Sequence, residues 1–182
     1  MAAATPARIR AGRDCLIVLE RVLLAAAPQE GCALLLGRRQ GTSLLLQRIW
    51  PCCNSWQPEE ERQHRFLLDP REQLLAQRWA RERQLQVLGA AHSHPSSIAV
   101  PSESDLALSC GPALMLIRSG LPLAGGSAPL RAWWLPNCAG WSVQTCDGHS
   151  SPAVASPELP LELPLELEAA QPPANRPGHL GE

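Results

Sequence analysis

The ten residues Leu85–His94, "LQVLGAAHSH", constrain this chain more than any others of that length. They are mostly apolar, too few for a buried helix, and followed at once by Pro95, which disfavours helical geometry in the residue before it. The stretch therefore reads as a buried strand. Residues i and i+2 of a strand share a face, so His92 and His94 project together. Two imidazoles at the end of an apolar strand are costly to bury without partners. The chain supplies one after the loop "PSSIAVPSES", ten residues long: Asp105.

Asp105 lies in "PSESDLALS", which has the form of a helix start. Ser102 takes the N-cap and Asp105 stands three residues in, the spacing of a capping box with Asp replacing Glu. Two imidazole nitrogens and one carboxylate oxygen leave a tetrahedral Zn²⁺ with an open position, the catalytic rather than the structural arrangement. Water at such a position falls to a pKa of about 7. The same ligands accept iron or cobalt. A metal of this kind works with a general base, and Glu30 is the candidate. It stands in "APQEGCALLLG", at the entry to an apolar strand, where an unpaired carboxylate is expensive to bury. Position alone fits an exposed turn glutamate equally well. Ser102 can both cap the helix and donate a hydrogen bond to a developing oxyanion.

The remainder of the chain bounds what such a site serves. A length of 182 residues allows one ordinary domain and a tail, and a net charge of −1 offers no basic surface for nucleic acid or an anionic membrane. All sixteen basic residues are Arg, which reads as codon bias in a GC-rich genome. No segment reaches the roughly 20 apolar residues of a membrane span. The opening "MAAATPARIRAGRDC" lacks the apolar core of a secretory signal. A cytoplasmic location is expected, where thiols stay reduced. The seven cysteines (15, 32, 52, 53, 110, 138 and 146) contain no C-x-x-C and read mostly as small buried residues. Cys32 shares a strand face with Glu30, so both a core thiol and an approach to the metal fit it.

Along the chain, "ARIRA" reads as a short strand and residues 13–27 as a helix ended by Pro28. "GCALLLG" and "SLLLQRIW" form a hairpin about "RRQGT". "RFLLD" reads as a short strand, and "DPREQLLAQRWARERQ" as a helix with an Asp cap and Pro in the first turn. "ALMLIR", "LRAWWL" and "WSVQTC" read as closing strands. Of Trp133 and Trp134, one should face the core and the other can be open to solvent or a partner. From residue 148 prolines recur every few residues and the charge turns acidic, so 148–182, with His149 and His179, reads as a disordered tail. Residues 7–147 make one α/β domain, a mixed sheet with two or three helices.

"HSHPSSIAVPSESD" resembles the JAMM motif of the MPN domain, the JAB1/Mov34/PAD1-type metallopeptidases. "PQEGCALLLG" resembles that family's upstream glutamate segment, and "FLLDPREQ" is similar to its small prokaryotic branch. The likeness covers residues 7–146. It implies a curved sheet flanked by helices, similar to cytidine deaminases, whose own H-x-E and P-C-x-x-C ligand set is missing here. It implies that His92, His94 and Asp105 hold one zinc, that Glu30 carries a proton from water to the leaving amine, and that Ser102 steadies the tetrahedral intermediate. Asn54 in "PCCNSW" occupies a place where the family often has asparagine, which fits both a turn and a substrate-channel residue. Ala33 departs from a common family glycine. The implied activity is hydrolysis of an amide bond at the C-terminus of a ubiquitin-like, β-grasp sulfur-carrier protein, bound in extended form along an exposed strand edge beside the zinc. Two other readings are an MPN scaffold without catalysis and a RadC-type relative linked to DNA repair. Retention of the ligands, Glu30 and Ser102 argues against the scaffold; the near-neutral charge argues against direct DNA contact.

Overall fold

Eight short runs of apolar or alternating residues pair into one mixed sheet, and three helices pack on it. The computed structural model describes residues 4–109, 111–122, 129–136 and 159–168. The elements are β1 (Arg8–Ala11), α1 (Arg13–Ala25), β2 (Cys32–Gln40), β3 (Ser43–Cys52), α2 (Pro70–Glu82), β4 (Gln86–His94), α3 (Glu103–Leu108), β5 (Ala113–Ser119), β6 (Leu130–Leu135), β7 (Leu161–Leu163) and β8 (Leu165–Leu167), with a 3₁₀ turn at Glu59–Gln63. The spatial order is β7-β6-β5-β4-β2-β3-β1-β8. β4–β5, β1–β3 and β1–β8 are parallel and the other pairs antiparallel.

The alternation of the strands divides the apolar side chains between two faces. On one face Ile9, Ala33, Leu35, Leu44, Leu46, Ala91, Leu114, Leu116 and Ala132 pack with Leu19 and Leu23 of α1. On the other, Leu34 and Leu36 meet Ala76 and Ala80 of α2, while Met115, Ile117 and Trp133 meet Leu106 of α3. The expected hairpin forms about Gly41, whose positive φ of 57° suits glycine. Asp69 caps α2 by accepting from the Arg71 N–H at 2.8 Å, with Pro70 in the first turn.

Two expectations need correction. "RFLLD" is not a strand: it makes one isolated bridge, Leu68 to Asn54, because side-chain rather than ladder hydrogen bonds organise the segment. As expected, Trp133 and Trp134 lie on opposite faces, Trp133 buried and donating its indole N–H to the Ala99 carbonyl at 2.9 Å, Trp134 half-buried. Part of the supposed disordered tail is ordered. "LELPLEL" forms β7 and β8, which pair with opposite edges of the sheet and are joined by Pro164 alone. Proline excludes a central strand position, yet here it falls between two three-residue strands, where its missing N–H interrupts no ladder. Its carbonyl accepts from the Ile9 N–H at 2.9 Å. Arg8, Arg10 and Arg131 pair with Glu166, Glu168 and Glu162, so the acidic residues of the segment face cations. The sheet is thereby curled nearly closed around α1. "WSVQTC", Cys110, Cys138, Cys146, His149 and His179 lie outside the described residues.

Leu163 is the buried anchor of this clasp, 4% exposed, whereas Leu159 is 77% exposed. Leu163→Ala is expected to lower unfolding free energy by about 2–4 kcal/mol in urea titrations. Leu159→Ala should change it by no more than about 0.5 kcal/mol. Equal effects from the two would mean that the clasp does not hold the sheet.

Candidate metal centre

β4 sits in the interior of the sheet, between β2 and β5. Its pleat sends Ala91 and Ser93 toward α1, and His92 and His94 toward α3. Ser93 serves the far face. Its hydroxyl accepts from the Gly31 N–H at 2.8 Å and its own N–H donates to the Gly31 carbonyl at 3.0 Å, which fixes the chain beside Glu30. Gly31 has to be glycine there: a Cβ would stand 2.5 Å from the Leu23 carbonyl oxygen of α1. Nothing in the local sequence pattern marked Ser93 except its place between the two histidines.

The loop from Pro95 then carries the chain to α3. Ser102 is its N-cap, accepting from the Asp105 N–H at 3.2 Å, while Asp105 Oδ2 accepts from the Ser102 N–H at 2.7 Å and from the Ser102 hydroxyl at 2.8 Å. This reciprocal box aims the Asp105 carboxylate back at β4. His92 Nε2 lies 3.3 Å from Asp105 Oδ1, His94 Nε2 lies 3.4 Å from Asp105 Oδ2, and the two Nε2 atoms are 2.9 Å apart. His94 Nδ1 lies 2.8 Å from the Ile98 carbonyl. That contact assigns the His94 proton to Nδ1 and leaves the Nε2 lone pair facing the cluster.

All three side chains are buried. Among the described residues they form the one group of three or more His, Cys, Asp or Glu side chains whose donor atoms converge, all within 4.8 Å of one another. Convergence of two imidazoles and a carboxylate fits a divalent metal such as zinc, with its outer support already in place at His94 and Asp105. Cys32 stands outside this group. Its thiol donates to the Cys52 carbonyl at 3.6 Å and burial pushes it up to about 12, the behaviour of a core thiol.

The charges are arranged around Asp105. Burial, the largest single influence, would raise its pKa, but hydrogen bonds from His92, His94 and the Ser102 N–H, with the charge of His92, hold it well below the usual carboxylate range. Burial lowers His92 despite Asp105. His94 is raised, because Asp105, the Ile98 carbonyl and Glu30 together outweigh its burial. Glu30 is buried, not an exposed turn residue, and its carboxyl is pushed up to about 8 by burial, with His94 lowering it and Asp105 raising it.

Asn54 also meets Glu30, through the backbone. Its Nδ2 donates to the Glu30 carbonyl at 3.2 Å and to the Arg65 carbonyl at 2.8 Å, and its Oδ1 accepts from the N–H groups of Trp56 at 3.0 Å and Leu67 at 3.2 Å. The amide is thus fully engaged inside the protein, as the turn reading requires. Phe66, unmarked in the sequence reading, stacks on His92 with ring centroids 4.3 Å apart.

Residues 15–136 match the family model of the prokaryotic homologs of the JAB domain. The chain belongs to that family. The matched part of this JAB protein contains Glu30, both histidines, Ser102 and Asp105, while β1, β7 and β8 fall outside it. The solution structure of protein DSY2949 from Desulfitobacterium hafniense, a structural-genomics target, is similar at 26% identity and a TM-score of 0.67, over 89% of this chain and 94% of that one. No curated protein matches the chain. No helix among the described residues is long and apolar enough to cross a membrane.

The position of Glu30 has a cost that depends on pH. Between its ordinary pKa of 4.5 and about 8 the folded JAB protein keeps the Glu30 proton that the unfolded chain releases, so stability falls as pH rises through this window. Glu30→Gln removes that titration. In metal-stripped protein the variant should exceed wild type by about 2–4 kcal/mol near pH 7.5 in urea unfolding, the advantage vanishing below about pH 4.5. Equal stability at pH 7.5 would mean that Glu30 ionises as freely as in the unfolded chain.

Proposed function

We propose that this JAB protein is a metal-dependent hydrolase of peptide or isopeptide bonds, with zinc as its metal. The observation that carries the reading is the buried Glu30 carboxyl, raised to about 8, beside the converging triad of His92, His94 and Asp105. A scaffold has no need of a buried carboxyl that is expensive to ionise.

His92, His94 and Asp105 would hold the metal, which supplies Lewis acidity toward water and toward a scissile carbonyl. Glu30 is a buried carboxyl beside the triad, and with the cation bound its ionised form would be favoured, which suits a group that takes a proton from water and returns it to a leaving amine. Asp105 stays ionised throughout, because its neighbours favour the charged form. Ser102 directs its hydroxyl to Asp105 Oδ2, so it holds the ligand in place, and can donate to an oxyanion only after turning from that bond.

The substrate we infer is the C-terminal amide of a ubiquitin-like, β-grasp sulfur-carrier protein. The resemblance to the small prokaryotic JAMM branch supports this, as does the place of the triad at the end of β4. Because β4 is paired on both sides, such a tail would cross the surface at the strand end instead of extending the sheet at β4. A cytoplasmic setting and a single zinc per chain belong to the same proposal.

The test uses zinc-loaded protein and a β-grasp carrier bearing a C-terminal peptide extension, with products read by mass spectrometry. Wild type should release the extension. Glu30→Gln should retain about one zinc and lose at least 100-fold in rate, and His92→Ala/His94→Ala should lose the zinc as well. Zinc-loaded wild type that leaves every carrier conjugate and isopeptide-linked ubiquitin-like dimer intact would refute the hydrolase reading and favour a scaffold.

A further inference from the structure

His92 and His94 are held by different means. A metal-ligating histidine ordinarily gives its second ring nitrogen to a carbonyl or carboxylate, which fixes the plane of the ring. His94 does so through Nδ1 and the Ile98 carbonyl. His92 is 0% exposed, and its buried Nδ1 has no hydrogen-bond partner among the described residues. What meets the His92 ring is an aromatic face. The Phe66 phenyl lies on it with centroids 4.3 Å apart and planes inclined by 20°, and Phe66 is the one phenylalanine in the chain.

Phe66 is itself fixed by backbone contacts on both sides. The Arg65 carbonyl accepts from Asn54 Nδ2, and the Leu67 N–H donates to Asn54 Oδ1. The same Nδ2 also donates to the Glu30 carbonyl. One amide therefore locks the segment that carries the phenyl ring to the segment that carries Glu30.

We propose that Phe66 is the positioning residue of His92, doing by stacking what the Ile98 carbonyl does for His94, and that Asn54 keeps Phe66 and Glu30 in one register. The inference rests on the reading of His92, His94 and Asp105 as metal ligands. The imidazole turns about its χ2 torsion, whose preference is broad. A flat neighbour restricts that rotation and keeps Nε2 directed at Asp105 and His94. An aliphatic side chain fills the same space without selecting a plane.

The experiment measures zinc affinity of the full chain by competition with a chromophoric chelator, and the visible spectrum of the cobalt-loaded protein. Phe66→Leu should weaken zinc binding about tenfold or more, the range for loss of an outer-shell partner, and change the cobalt ligand-field bands. Phe66→Tyr, which keeps the flat ring, should restore both to near wild type. Thermal unfolding of the metal-free forms separates packing from positioning: a purely structural role would lower the melting temperature of Phe66→Leu and leave its zinc affinity and cobalt spectrum unchanged. That outcome overturns the inference while the metal reading stands. If Phe66→Leu does not fold, Phe66→Met against Phe66→Tyr makes the same comparison. Wild type that takes up neither zinc nor cobalt overturns the metal reading and this inference with it.

Discussion

The pleat of one strand is the constraint on which the rest depends. β4 must put its small and apolar residues toward α1 to complete that core, and the same alternation places His92 and His94 on the opposite side. A slip of one residue in register would bury Ser93 where the imidazoles stand and direct both histidines into α1. Pairing on both flanks, with β2 and β5, prevents the slip. The capping box of α3 completes the arrangement, because the carboxylate that tidies the helix end is the one that meets both rings.

The buried polar cluster works against the fold that holds it. Four ionisable groups, Glu30, His92, His94 and Asp105, are withdrawn from water within a small apolar surround. Mutual contacts offset the penalty for Asp105 and His94 but not for Glu30 or His92, whose shifts follow burial. The two groups left uncompensated are those bound least by hydrogen bonds, and they are the two that Asn54 reaches, through the Glu30 carbonyl and through the segment of Phe66. Strain of this kind is commonly retained where chemistry requires it.

Most of the strands, the three helices and the converging group of His92, His94 and Asp105 were legible because each rests on local information. The alternation in "AHSH", the Asp-Pro start of α2 and the Ser-x-x-Asp start of α3 each carry their physical reason within a few residues. What escaped reading depends on distant partners. Phe66 looked like the start of a strand, since nothing nearby reveals that its ring lies on an imidazole from β4. Asn54 suited a turn and a channel equally until its four hydrogen bonds were placed. "LELPLEL" has the prolines and charge of a disordered tail, and only the edges of β6 and β1, with Arg131, Arg8 and Arg10 beside them, turn it into paired strand. The α/β class followed from the patterns and the curved sheet from the resemblance, while the near-closure of the sheet came from this tail.

The clasp also sets the order in which the molecule can be completed. β1 begins within the first dozen residues of the sequence, yet its outer edge is covered by β8, and β7 meets β6 only after an intervening stretch of chain. During synthesis the central strands β2 to β5 and their helices can assemble before the clasp, since all of them precede β7 and β8 in the chain. The outer backbone of β1 stays unpaired until the last part of the sheet emerges. Long-range pairing of this kind is slow to form and leaves an open edge meanwhile. Arg8 and Arg10 on that edge give a nascent chain two charges against pairing with its neighbours, and the same arginines then receive the glutamates that close the sheet.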